Sequence, residues 1–398
     1  MALCVMSAAA VAGDESSAFS LRGFGTLGLA RSTSSQAEVA RDLLQPRGVS
    51  DNWSGRIDSN VGVQVNYVAS NTLEAVVQAV SRYNPEGSFA PELTEALLKY
   101  DPSAYLSLRG GRLATDFFMH GDSRLIGYSQ LVVRPNIDYF SSLAVSYLDG
   151  VDAQLTLPAG DGLLRAKGYF GFLAQKFPFP GGYLNVRGSR TISAYLDYQE
   201  GSWQWRGGMA RISFNHAMSP PVVNLQNALI DTGVAAAQRA AAGLDLRGTD
   251  ARYHSVGVVY DRGPIMAQLM LGRLRFESAA IQDQDTGLFL ASYRLGQVKP
   301  FVGYSRIKSR ANRIVSGLPN AGAGAVLNAS LDYVLADSHA DQHTYSLGLR
   351  WDLRNDMALK FQVDAIRGDA DSKYTFRRET SAWNGKTNVF TFTLDFVF

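Results

Sequence analysis

Residues 23–28, GFGTLG, match the G-x-G-x-x-G spacing with which a dinucleotide fold holds phosphate on backbone amides. That chemistry needs the glycines between a strand and a helix. Here polar STSSQ follows, and the segment itself alternates like a strand, so no cofactor site is read from it. Ser50-Asp51-Asn52 copies one element of the serine β-lactamases, with no credible S-x-x-K or K-T-G partner. Nucleophilic hydrolysis would need a serine and a histidine on one face. His254 and Ser255 are sequence neighbours, and neighbours on a strand point to opposite faces. His120, His216, His254, His339 and His343 are scattered, and the loose His339/His343 spacing sits where a loop enters a strand, so no metal site is read from them. Asp283, Asp285, Asp369 and Asp371 could bind calcium or bridge lipopolysaccharide, but they lack a full ligand set, and solvated loop residues are the favoured reading. No catalytic constellation, metal site or cofactor is expected. Chemistry is left to charges that alternate with apolar residues.

Those charges must be held by strands. In RIDSNVGVQVNY (56–67), Ile57, Val61, Val63, Val65 and Tyr67 share one face, and Arg56, Asp58, Asn60, Gln64 and Asn66 the other. In NVFTFTLDFVF (388–398), Phe390, Phe392, Leu394, Phe396 and Phe398 oppose Val389, Thr391, Thr393, Asp395 and Val397. Lipid on one side and water on the other asks for this alternation, although a soluble sandwich strand alternates too. Punctuation decides between them. Tight turns at Ser70-Asn71, Asp101-Pro102, Pro158 to Gly162, Glu200-Gly201, Arg262-Gly263, Gly296-Gln297 and Asn355-Asp356 alternate with longer stretches. The longer stretches lie at about 32–51, 84–91, 115–138, 175–189, 216–249, 277–284, 311–341 and 369–385. Seven turns and eight loops predict sixteen strands: 19–31, 52–68, 72–83, 92–100, 103–114, 139–157, 163–174, 190–199, 202–215, 251–261, 264–276, 285–295, 298–310, 342–353, 356–368 and 386–398. An even count with short turns at one end and long loops at the other is the pattern of an all-β, antiparallel, up-and-down transmembrane barrel. Asp149-Gly150 could split the sixth strand as a hairpin turn. One strand with an internal bulge keeps the count even. Loop helices are predicted near 35–44, from the capping box Ser35-x-x-Glu38, and within 222–242, from VAAAQRAAAG.

The 398 residues contain no apolar run long enough for a transmembrane helix, and a net charge of +2 argues against nucleic acid as a partner. Residues 1–12 read as a secretory signal peptide shortened at its basic start, with Ala10-Val11-Ala12 before the cut at Gly13. Residues 13–398 would be a single transmembrane barrel. The only cysteine, Cys4, lies in the signal, so the mature chain would carry no disulfide and no thiolate site.

With signal, strand rhythm and terminal Phe398 assembled, the chain resembles the sixteen-stranded porins of Gram-negative outer membranes. The resemblance covers nearly the whole mature chain. In detail it is carried by LKYDPSAYLSLRGGRLATDFFMHGDSRLIGYSQLVVRP (98–135), which is similar to a strand–turn–strand–loop block of proteobacterial porin-like proteins. It implies a water-filled channel for passive diffusion of ions and small hydrophilic solutes, a homotrimer contacting through the early strands, and outer-membrane lipid and lipopolysaccharide around it. The terminal Phe398 would be read by the barrel assembly machinery, and Gly23, Gly25 and Gly28 would permit close approach at the subunit contact.

In general porins the third long loop folds into the lumen, which here implies a constriction loop at about 115–138. The PEFGG-like signature of enteric porins is absent. Such a channel filters by rows of charge rather than by bond making. The constriction candidates are Asp116, His120, Asp122, Arg124, Tyr128 and Arg134. The wall candidates are Arg22, Arg56, Asp58, Arg82, Arg109, Arg165, Lys167 and Arg206, with Lys99, Arg294, Arg350 and Lys360 also on polar faces. Basic residues slightly outnumber acidic ones, which predicts a weak anion preference. The alternative is a substrate-selective channel for small organic anions, since guanidinium groups pair carboxylate and phosphate bidentately.

Overall fold

A computed structural model describes residues 18–141, 143–179 and 182–398. The signal reading of residues 1–12 lies outside the described residues. Sixteen antiparallel strands close into one barrel. They are β1 (Phe19–Ser32), β2 (Asn60–Ser70), β3 (Leu73–Arg82), β4 (Glu92–Tyr100), β5 (Leu106–Ala114), β6 (Tyr147–Ala159), β7 (Gly162–Leu173), β8 (Arg190–Glu200), β9 (Trp203–Ser213), β10 (Asp250–Arg262), β11 (Ile265–Phe276), β12 (Asp283–Tyr293), β13 (Val298–Arg310), β14 (Asp341–Arg354), β15 (Met357–Gly368) and β16 (Lys386–Val397). Each strand pairs with its sequence neighbours, and β16 closes on β1 in a register that sets Thr26 opposite Asp395. Closure leaves no open sheet edge. Short turns lie at one end of the barrel and long connections, L1 to L8 in chain order, at the other.

The inside and outside are inverted relative to a water-soluble sheet. On β8 the buried positions are Thr191, Ser193, Tyr195 and Asp197, while Ile192 and Leu196 stand exposed on the outer face. Leu347 on β14 is 62 % exposed, and Lys360 and Asp395 on neighbouring inward positions are buried. Apolar side chains turned outward and polar ones turned inward are stable only when a hydrocarbon layer surrounds the barrel. Near the short turns, Trp203 and Trp205 stack with ring centroids 5.5 Å apart, and Trp203 meets Tyr260 at 4.7 Å. Exposed aromatics at one rim suit the membrane interface. No helix among the described residues is long and apolar enough to cross a membrane.

The sequence-read strands differ from these in a few informative places. Residues 52–59 are not strand. The Gln45 amide donates to the Ile57 carbonyl, and Asp58 is turned to two arginines, so L1 captures this backbone before β2 begins. Residues 139–146 leave the sixth strand, because Asn136 caps the short helix α1 (Ile137–Phe140), which belongs to L3. Asp149-Gly150 does lie within one strand, with continuous pairing to Arg112 and Gly111 on β5, so the expected bulge is absent there. Irregular register falls instead at Val68/Ser70, Gln78/Ala79 and Asp352/Arg354.

The expected helix at 35–44 is absent too. Glu38 accepts from the Arg47 guanidinium and the Gly48 amide, while Glu38–Val39 pair with Phe376–Arg377 of L8. The alanine-rich stretch forms two helices, α2 (Pro220–Asp231) and α3 (Ala235–Gly243), divided where Gly233 takes a φ of +71°. L7 carries a further helix, α4 (Gly322–Asp337), where the sequence reading has only a long loop.

Gly23 and Gly25 have an intrachain role. A Cβ on Gly23 would stand 2.1 Å from the Phe398 ring, and one on Gly25 would stand 2.4 Å from the Phe396 ring. The terminal aromatics of β16 therefore lie across bare backbone on β1 and seal the barrel seam.

Candidate functional site: a loop-narrowed lumen

L3 (115–146) enters the barrel and crosses it. It begins at the end of β5, and its first turn packs on the inner wall opposite. There the Phe118 ring meets Tyr253 of β10 edge to face at 6.1 Å, and the Ser255 hydroxyl donates to the Phe117 carbonyl. The loop then runs back to β1, β16, β15 and β14, where it is clamped. Buried Lys360 donates to the carbonyls of Gly127 at 2.7 Å and Val132 at 3.0 Å. Arg350 donates to those of Tyr128 at 2.7 Å and Gln130 at 2.8 Å. The Val133 amide donates to Gln362, and Asp138 accepts from Ser305 at 2.6 Å and Gln342 at 2.7 Å. A loop has no ladder partners of its own, so wall side chains supply them.

Residues 127–133 are held to this one wall, which leaves water-accessible space between the middle of L3 and the other. A polar cavity of about 710 Å³ lies between L3 and the inner faces of β4 to β11. On it stand Lys99, Arg109, Arg165, Lys167 and Arg206. Each faces inward because its strand's apolar residues must face outward. Their carboxylate partners lie beneath them. Asp152 takes a bidentate pair from Arg109 and lies 3.7 Å from Lys167; Asp197 receives Arg206 at 3.0 Å and Arg165 at 3.9 Å. The Arg109 and Arg165 side chains are 25 % and 22 % exposed, whereas those of Asp152 and Asp197 are only 1 % and 2 % exposed. The guanidinium groups of Arg109 and Arg165 thus reach the water more than their carboxylate partners do, whereas Lys167 is buried between Asp152 and Asp116. Asp116 at the root of L3 accepts from Lys167 and the Tyr195 hydroxyl.

The sequence-read candidates separate on this geometry. Asp116, His120 and Asp122 line the cavity, with His120 in the left-handed backbone region at φ +63°. Arg109, Arg165, Lys167 and Arg206 line the facing wall. Arg124 is buried and donates to the Leu143, Ala144 and Val145 carbonyls, so it braces L3 internally. Arg134 is buried on Asp58 and Thr391. The Tyr128 hydroxyl donates to the Asn355 carbonyl in the last short turn, and Arg350 covers its ring. These three serve the anchorage of the loop. Arg22 is exposed on the inner face of β1, and Arg82 pairs with Asp42 of L1 and Glu92. Arg56 and Asp58 are corrected from wall to L1. Arg56 lies over the Tyr83 ring, and Asp58 is the carboxylate on which L3 and L1 meet.

Sequence reading missed the Lys360 and Arg350 carbonyl clamp as such. Both alternate on polar faces like any wall residue, and nothing local shows that their partner is backbone more than two hundred residues away. Asp283 and Asp285 are ion-paired on the outer face of β11 to β13, with Arg273, Arg275 and Arg310, so they do not join Asp369 and Asp371.

No protein-family model matches the sequence, and no curated protein matches it significantly. Solved structures do match in shape. The chain is similar to the anion-selective porin of Comamonas acidovorans, with a TM-score of 0.58 at 13% identity over 96% of this chain and 99% of that one. It is similar to Salmonella typhi OmpF in complex with daunomycin, with a TM-score of 0.57 at 12% identity over 96% and 97%. It is also similar to Pseudomonas putida OprB, with a TM-score of 0.55 at 8% identity over 96% and 94%. At such identities the likeness is one of fold. The chain has the fold of the sixteen-stranded outer-membrane porins, and its apolar belt is that of a barrel crossing a bilayer.

Proposed function

We propose that this protein is an outer-membrane porin: a passive, water-filled channel for ions and small hydrophilic solutes, with a weak preference for anions. One observation carries the reading. The side chains of Arg109 and Arg165, 25 % and 22 % exposed, bring their guanidinium groups to the free side of the lumen, while the side chains of Asp152 and Asp197 that pair with them are 1 % and 2 % exposed. In a narrow bore with low-dielectric walls, charge nearest the water sets the local potential. Asp116, in contact with Lys167, and Asp122 on L3 temper that potential, which keeps the preference weak.

The reading includes a homotrimer and an outer-membrane setting rich in lipopolysaccharide. Support for the lipid comes from the outer face at the loop end, where Arg211, Arg252, Arg273, Lys308 and Arg310 are all more than half exposed. Guanidinium and ammonium groups at that height suit lipid phosphates. Phe398, seated on Gly23, is the residue we assign to recognition by the assembly machinery.

The test is planar-bilayer recording of refolded protein across a KCl gradient. The expected result is stepwise conductance with a reversal potential on the anion side of zero; clear cation selectivity or an absence of conductance overturns it. Steps in groups of three report the trimer.

A further inference from the structure

At the loop end the barrel carries a second cavity, of about 550 Å³ and of different character. It lies over the last residues of L3, beneath L1, L4, L7 and L8. Its lining is carbon-rich and aromatic, with Phe177, Phe214, Phe276, Tyr333, Tyr374 and Phe376 among the residues bordering it. That volume lies in the range of small-molecule sites, and aromatic walls with a few polar groups are their usual lining. A mouth that only admits ions has no need of it, since water is held more weakly by such a surface than by a polar one.

The charges on this cavity are unevenly placed. Arg377 is fixed by backbone carbonyls: its Nε donates to Gln45 at 2.8 Å and its Nη2 to Leu43 at 3.1 Å. Among the described residues no carboxylate lies within ion-pair distance of it, nor of Arg378 and Lys373, which also border the cavity. Asp337 and Glu379 are the acids on this rim, and they too make no ion pair within that distance among the described residues. Three cations against two anions leave the rim positive, and the lumen cavity bordered by L3 carries Arg109, Arg165 and Arg206. An apolar chamber with a positive rim, in the same bore as a row of guanidinium groups, complements a molecule with a flat apolar body and one negative charge.

We infer that the loop-end cavity is a binding site for small aromatic carboxylates, which concentrates them ahead of the lumen. The inference deepens the channel reading and rests on it for the transport step, but binding itself does not depend on conduction.

The experiment uses the full protein in lipid nanodiscs and in planar bilayers. Titration calorimetry with 2-naphthoate measures binding, with acetate and 2-naphthylmethylammonium as the matched anion without a ring and ring without an anion. Saturable binding of 2-naphthoate, with neither control bound comparably, is expected. In bilayers, 2-naphthoate added from the loop side produces concentration-dependent interruption of the KCl current. Tyr333→Ala, on an exposed face of α4, weakens binding by about fivefold, the scale of one lost aromatic contact, and leaves KCl conductance unchanged. Arg378→Gln weakens binding of 2-naphthoate without making the ammonium probe bind better than it. Equal binding of all three probes, preference for the ammonium, or no binding to folded protein overturns the assignment. Loss of all KCl conductance with 2-naphthoate binding retained would refute the channel reading and leave the pocket standing.

Discussion

Arg134 lays its guanidinium against Asp58, with Nε 2.8 Å from one carboxylate oxygen and Nη2 2.7 Å from the other. The pair joins L3 to L1 inside the barrel, and Arg41 of L1 approaches the same carboxylate at 3.4 Å. Both members are almost wholly shielded, so this is a buried ion pair whose loss strands a charge.

Asp58→Ala therefore removes the carboxylate shared by two buried guanidinium groups, leaving Arg134 with Asp364 alone, at 3.5 Å, among the described carboxylates. We expect a loss of about 3 kcal/mol in unfolding free energy, the scale for breaking one side of a buried pair. Urea titration followed by the heat-modifiable gel shift measures it. Current noise from a loosened L3 accompanies the loss, and unchanged stability and noise would refute the tether.

The charge filter makes a separate prediction. Arg165→Glu and Arg206→Glu each place a negative end on the lumen where a positive one stands, next to a carboxylate, Asp197, that then has fewer partners. Reversal potentials in a KCl gradient shift toward cations for each, and further for the double variant. Arg124→Gln, although also an arginine of the region, leaves selectivity nearly unchanged, because Arg124 faces carbonyls inside L3.

Gly127 is the tightest point of the loop. A Cβ there would stand 2.1 Å from an Asp395 carboxylate oxygen and 2.3 Å from the Thr26 hydroxyl. Gly127→Ala must displace either L3 or the buried Asp395 and Thr26 side chains at the seam between β1 and β16. We expect about 1–3 kcal/mol of destabilisation, as for other overpacked sites, and a changed single-channel conductance. Wild-type conductance would show that the loop is not held there.

The outer loops carry the pH dependence. Burial pushes the Asp337 carboxyl up to about 6, and nearby Glu379 adds to the rise while Arg377 and Lys373 oppose it. A raised carboxyl pKa means that the folded loop holds this proton more tightly than the unfolded chain. Stability is thus gained as pH falls from about 6 toward the ordinary value of 3.8, and it is absent at higher pH. Hydrogen exchange in α4, corrected for the intrinsic rate, is expected to be slower at pH 5 than at pH 7.5. Asp337→Asn removes that difference.

The sequence by itself determined the barrel. Strict alternation in segments such as 386–398 and 190–199, with short turns and long loops taking turns, leaves one arrangement in which every apolar face meets lipid and every strand has two partners. Period two also settled that Arg109, Arg165, Lys167 and Arg206 face inward, because a strand's outward residues fix its inward ones. Tertiary structure alone decided which inward charges meet water. Lys360 and Arg350 have the same local pattern as Arg165, yet they are spent on the carbonyls of a loop that arrives from far away in the chain. Arg134 and Asp58 read as independent filter charges, and three-dimensional approach cancels them against each other. Alternation is a local property enforced by backbone geometry. Neutralisation and burial depend on which distant groups come within a few ångströms, and only the closed barrel with L3 inside it sets those distances.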